Sequence, residues 1–159
     1  MREAAARQPK PVSARGAARL AAVQALYQLE MTDGGLPARI VQEFIDHRLG
    51  SDIEGAPLVK ADAAYFADVF AGAASRLEEI DGVIAQNLGE GWTVPRLDKP
   101  LRQILRAALY ELLARLDVPP AVVISEYVEV ARGFYEDGPE VGFVNGLLDR
   151  AARGLGRLG

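Results

Sequence analysis

Arg15 and Arg19 stand four residues apart, and Lys99, Arg102 and Arg106 follow one another at spacings of three and four. On helices, such spacings place each set on one face. Cations repeated at that pitch suit successive phosphates of a single nucleic-acid strand, and they suit a solvated surface equally well. The segment Phe143-Val144-Asn145-Gly146-Leu147-Leu148-Asp149 is unusual, because Asn and Gly are both poor residues for a helix interior. Close helix packing is the expected reason for Gly146, and a hydrogen bond to a loop or ligand would explain Asn145. Phe143 is either core or an exposed ring on which a base stacks, a contact worth about 1–3 kcal/mol. The carboxylates Glu78, Glu79 and Asp81, and the pair Glu126 and Glu129, lie on helices with bases nearby and read as surface acids. His47 is isolated and expected to be solvated.

The chain has 159 residues, one His and no Cys. Without cysteine there is no disulfide scaffold, thiolate zinc or iron–sulfur site, or thiol nucleophile. With a single histidine, multi-His metal sites are excluded. No Walker phosphate loop and no glycine-rich strand-to-helix turn is present. No cofactor or metal is expected, and the residues describe an adaptor without equipment for catalysis. No apolar run approaches the length that spans a bilayer, and the N-terminus lacks a signal-peptide core. A cytoplasmic location without membrane contact is therefore expected.

The net charge of −4, from 18 Lys and Arg against 22 Asp and Glu, argues against RNA only as a sum. Residues 1–19 hold five bases and one acid, whereas residues 20–95 hold four bases and twelve acids. Residues 96–135 return to six bases and five acids. Salt screens remote charges over about 10 Å, so a basic arm can attract phosphate while the acidic middle meets another partner.

Positioning those residues falls to helices. Residues 1–13, with Pro9 and Pro11, read as a flexible basic arm, and 14–159 as a helical domain. Ser13 is placed to cap a first helix that runs to about Met31, with Leu20, Val23, Tyr27 and Met31 as its larger apolar residues. Asp33-Gly34-Gly35 ends it. A second helix spans about 36–49, a loop follows through Gly50–Pro57, and a third spans about 60–88 with a possible break near Gly72 or Ser75. Asp98 and Pro100 open a fourth, whose apolar stripe runs Leu101, Ile104, Leu105, Ala108, Leu109, Leu112 and Leu116. A fifth covers about 121–134, although Val122-Val123-Ile124 favours strand, and a sixth runs from Asp137-Gly138-Pro139 to about Arg153. The expectation is an all-α globule.

Three segments in this order carry a resemblance: Arg19 to Gln28, Ile104 to Leu112 and Phe143 to Asp149. Together they resemble the NusB family of transcription antitermination proteins over about residues 13–153. The resemblance implies six to seven helices in two packed three-helix bundles. It implies binding of boxA RNA in ribosomal RNA leaders, together with the ribosomal protein NusE, within an RNA polymerase antitermination complex, as a monomer or homodimer. It assigns RNA contact to Arg15 and Arg19 and places Tyr27, Arg102 and Phe143 near RNA, beside the Lys99 and Arg106 of the basic stripe. The same module is similar to the N-terminal domain of ribosomal RNA cytosine methyltransferases. Those enzymes carry a further cofactor-binding domain, for which a chain ending at Gly159 is expected to leave no room.

Overall fold

The computed structural model describes residues 13–49 and 60–158. The expected basic arm, apart from Ser13, and the expected loop Gly50–Pro57 lie outside them. The described residues form seven α-helices and no strand: α1 (Ala14–Met31), α2 (Pro37–His47), α3 (Ala63–Ser75), α4 (Leu77–Gln86), α5 (Lys99–Ala114), α6 (Pro120–Tyr135) and α7 (Pro139–Gly154). A 3-10 turn at Val94–Arg96 precedes α5.

Local chemistry accounts for most boundaries. Ser13 accepts from the Gly16 N–H at 2.9 Å, and Asp62 accepts from the Tyr65 N–H at 3.0 Å, so each satisfies a donor that has no partner inside its helix. The third expected helix breaks at Arg76, giving α3 and α4. Pro37, Pro100, Pro120 and Pro139 all sit in first turns, where a missing N–H costs nothing. Asp98 stands before α5 but its side chain does not cap; its carboxylate accepts from the Tyr135 hydroxyl instead. The stretch Val122-Val123-Ile124 is helical, with Val123 and Ile124 packed inward.

α1, α2 and α3 pack as one group, and α5, α6 and α7 as another, with α4 against α5. α5 is the shared element, touching α1, α3, α4, α6 and α7. Its buried residues run almost continuously from Leu101 to Leu112. Phe44, Phe66 and Phe70 stack at centroid separations of 5.3 and 6.0 Å, joining α2 to α3.

Three expectations are corrected. The inward face of α1 is built from Ala18, Ala21, Ala22, Val23, Ala25 and Leu26, while Leu20, Tyr27 and Met31 face solvent. Alanine brings backbones close together, so small residues fill the interface and large ones are left outside. Leu116 lies beyond the end of α5 and is exposed. Gly146 is not a close-packing glycine: a side chain there would meet only the flexible Arg150 guanidinium. That role belongs to Gly72, where any Cβ would overlap the Tyr110 ring.

Candidate nucleic-acid interface

The two arginines of α1 have different fates. Arg15 is exposed, its guanidinium 4.4 Å from the Tyr65 ring centroid. Arg19 turns inward and is 2% exposed. It donates from Nε and Nη2 to both oxygens of Glu111 at 2.9 and 3.1 Å, from Nη1 to Glu126 at 3.2 Å, and from Nη2 to the Tyr65 hydroxyl at 3.1 Å. Glu111 is fully buried on α5 and also accepts from the hydroxyls of Tyr127, at 2.5 Å, and Tyr65. A buried carboxylate needs a counter-charge and hydrogen bonds, and Arg19 supplies both. Burial alone would lower the Arg19 pKa, yet the Glu111 hydrogen bond and charge hold it above its usual value. Burial, followed by Glu111, pushes the Tyr65 phenol up to about 12 and the Tyr127 phenol well above its ordinary value. The expectation that Arg19 meets phosphate is therefore corrected, because its donors are committed inside the protein.

The basic stripe of α5 divides in the same way. Arg102 donates to Glu30 at 2.9 Å and to the Val94 carbonyl at 3.3 Å. Arg106 makes a two-pronged pair with Asp81 at 2.9 and 2.7 Å and reaches the other oxygen of Glu30 at 3.0 Å. These carboxylates staple α5 to α1 and α4, so Arg102 and Arg106 do not form a free cationic stripe. Lys99 alone of the three is exposed, its Nζ 3.5 Å from Met31 Sδ. The acidic middle is partly consumed by the same pairs. Glu126 and Glu129 are ion-paired with Arg19 and Arg132 and are half-buried, so their reading as surface acids is corrected. His47 is exposed in the last turn of α2.

The outward turn of Tyr27 and Met31 opens a groove of about 500 Å³ between α1, the end of α2, the start of α5 and the end of α6. Val23, Gln24, Tyr27, Gln28, Met31, Thr32, Arg48, Pro100 and Phe134 line it. Tyr27 and Phe134 are each 40% exposed, so two aromatic surfaces meet solvent there. Arg48 rests 4.7 Å from the Phe44 ring, and neither it nor Lys99 has a carboxylate partner among the described residues. Gln24 and Gln28 offer amides that both donate and accept. Of the expected residues, Tyr27 lines the groove and Lys99 reaches its rim through Met31. Phe143 is half-buried, packs against the core and does not line the groove. Arg15 stands at the other end of α1. Sequence reasoning missed Phe134 and Arg48. Phe134 continues the inward series Tyr127 and Ala131, so its spacing reads as core, and only the end of α6 exposes it.

The model of the NusB family matches residues 16–153. The chain belongs to the NusB family. It is 53% identical over 140 residues to the transcription antitermination protein NusB of Novosphingobium aromaticivorans, covering 88% of this chain and 93% of that one. It is 48% identical over 142 residues to the NusB of Caulobacter vibrioides, covering 89% and 94%. Among solved structures, T. maritima NusB superposes with a TM-score of 0.72 at 32% identity, covering 92% of this chain and 93% of that one. A chain from a structure of antitermination factors NusB and NusE in complex with double-stranded RNA superposes with a TM-score of 0.72 at 23% identity, covering 89% and 97%. The latter likeness is one of fold. The all-helical NusB architecture is thus shared across these chains.

Proposed function

We propose that this NusB-family chain is an RNA-binding antitermination factor that recognises boxA RNA of ribosomal RNA leaders together with NusE and joins the RNA polymerase antitermination complex. One observation carries the RNA reading: the groove pairs two exposed aromatic surfaces, Tyr27 and Phe134, with the cation of Arg48 in its lining and that of Lys99 at its rim against Met31, and no carboxylate among the described residues neutralises either. Aromatic platforms beside cations are what an unpaired RNA strand needs, with stacking for bases and charge for phosphates. Arg15 adds a cation at the start of α1, and Arg2, Arg7 and Lys10 precede it in the sequence. The domain spans 14–159. It works by positioning RNA and NusE, with no covalent step, and NusE takes a helical face away from the arm.

The test is binding of labelled boxA RNA and a scrambled RNA at two salt concentrations, with NusE present. A preference for boxA that weakens with salt is expected. Tyr27→Ala is expected to lower affinity by about 5- to 150-fold, the equivalent of one lost stacking contact. Equal affinity for both RNAs refutes specific recognition, and an unaffected Tyr27→Ala variant refutes the groove as its site.

A further inference from the structure

The groove leaves unexplained a second pairing of an aromatic ring with cations, just ahead of α5. Trp92, the single tryptophan of the chain, is 54% exposed. A ring of that size ordinarily buries most of its surface. Its loop is held in place from several directions. The Trp92 N–H donates to the Gly89 carbonyl at 3.1 Å, and Gly91 adopts a positive φ of 84°, which glycine tolerates. Arg96 donates from Nη1 to the Gly91 carbonyl at 2.6 Å while its guanidinium lies 5.2 Å from the indole centroid. From α7, Arg150 donates from Nη2 to the Asn87 carbonyl at 3.1 Å.

The charges of this loop contrast with those of the α5 stripe. Arg102 and Arg106 are cancelled by Glu30 and Asp81. Arg96 and Arg150 bond to backbone carbonyls and pair with no carboxylate among the described residues; Glu90, exposed in the same loop, pairs with neither. The result is a presented indole backed by the Arg96 guanidinium, with a second guanidinium, that of Arg150, held at Asn87 where the loop begins, and neither is offset by a carboxylate among the described residues. Arg96 is also only three residues from Lys99 and four from Pro100 of the groove, so the chain itself holds these positions within about 14 Å.

We propose that Trp92, Arg96 and Arg150 form a second contact surface for the same single-stranded RNA, continuing the track of the groove past Lys99. The indole stacks on one base flanking the segment in the groove, and the two guanidiniums meet adjoining phosphates. This rests on the RNA reading above. An unpaired strand fits better than an acidic protein segment because the surface combines a flat ring with cations and adjoins a groove of the same composition.

Trp92 is its own reporter. The full-length chain is titrated with boxA RNA and with the same RNA lengthened by three unpaired nucleotides at each end. Tryptophan emission and anisotropy of the labelled RNA are followed in parallel. The longer RNA is expected to quench Trp92 with the concentration dependence of binding. Trp92→Ala is expected to weaken the longer RNA by about 5-fold or more and leave the shorter one unchanged. Arg96→Ala with Arg150→Ala is expected to do the same and to reduce the salt dependence for the longer RNA only. Thermal melts of each variant that match the parent exclude loss of fold as the cause. Anisotropy that reports binding of the longer RNA while Trp92 emission and the affinity of Trp92→Ala stay unchanged overturns this surface and leaves the groove standing. Absence of binding by either RNA overturns both. Quenching by an acidic peptide such as oligoglutamate, but not by RNA, overturns the assignment to RNA and gives the surface to a protein partner.

Discussion

Replacing Arg19 by alanine separates the two roles that its position in α1 allows. The substitution removes four hydrogen bonds to Glu111, Glu126 and Tyr65 and leaves Glu111 fully buried with only the hydroxyls of Tyr65 and Tyr127. Removing one partner of a buried ion pair costs about 3–5 kcal/mol, because the other charge stays behind without compensation. For a chain of this length each kcal/mol corresponds to about 2–4 °C, so Tm should fall by about 6–20 °C. Adding Glu111→Gln to Arg19→Ala should recover part of that loss, since a neutral amide leaves no unpaired buried charge. Below the melting range, the salt dependence of RNA binding by the folded variant should match the parent. The assay is a circular-dichroism melt of the parent, single and double variants, with RNA binding measured at several salt concentrations. An unchanged Tm combined with a flattened salt slope would refute the reasoning, because Arg19 would then face phosphate.

Arg15→Ala should give the opposite result: Tm within about 2 °C of the parent and a salt slope smaller by about 0.7, the loss of one phosphate contact on a single strand. Gly72→Ala drives a methyl group into the Tyr110 ring and should lower stability by about 1–3 kcal/mol in a denaturant titration. Burial, followed by the neighbouring Glu111 and Asp68, raises the phenols of Tyr65 and Tyr110 to about 12 from the ordinary 10. The unfolded chain then loses these protons first, so their contribution is complete below pH 10 and drains away as pH rises from about 10 to 12. Melts across that range should show Tm falling, and a level Tm would contradict it. Glu136 holds a positive φ of 55° between α6 and α7, so Glu136→Gly should raise stability by ~1 kcal/mol in the same titration.

The helices were legible because their signals are local. Ser13, Pro100 and Gly138-Pro139 mark starts within a few residues of the turns they begin, and the apolar series of α5 from Leu101 to Leu112 points inward as its period requires. Less of the site could be read. Spacing puts Arg15 and Arg19 on one face, but Arg19 is claimed by a glutamate 92 residues away. Likewise Arg102 and Arg106 look like an outward stripe until Glu30 and Asp81 arrive from other helices. Ion pairing across a fold is a tertiary event that no periodicity encodes. The spacing of Leu20, Val23, Tyr27 and Met31 did not show which of them face outward, because here a row of alanines takes the inward place, and Tyr27 entered the site through the family resemblance. Phe134 and Arg48 were missed because each becomes part of the groove only where helix ends converge. Gly72 and Gly146 show the same limit, since only the facing side chain decides which glycine has to be small.

α1 is fastened near both ends, by Arg19 on Glu111 toward its start and by Glu30 on Arg102 and Arg106 toward its finish. A helix rises 1.5 Å per residue, so Arg15 and Tyr27, twelve residues apart, keep an axial separation of about 18 Å. The element therefore behaves as a ruler. On the proposed RNA reading, it would meet its ligand at a preset span and lose little freedom in doing so, whereas a hinged helix would have to be ordered first. On that reading, selection by length would come from the frame itself: a strand whose phosphate and base fall at other intervals would satisfy one end of α1 but not both.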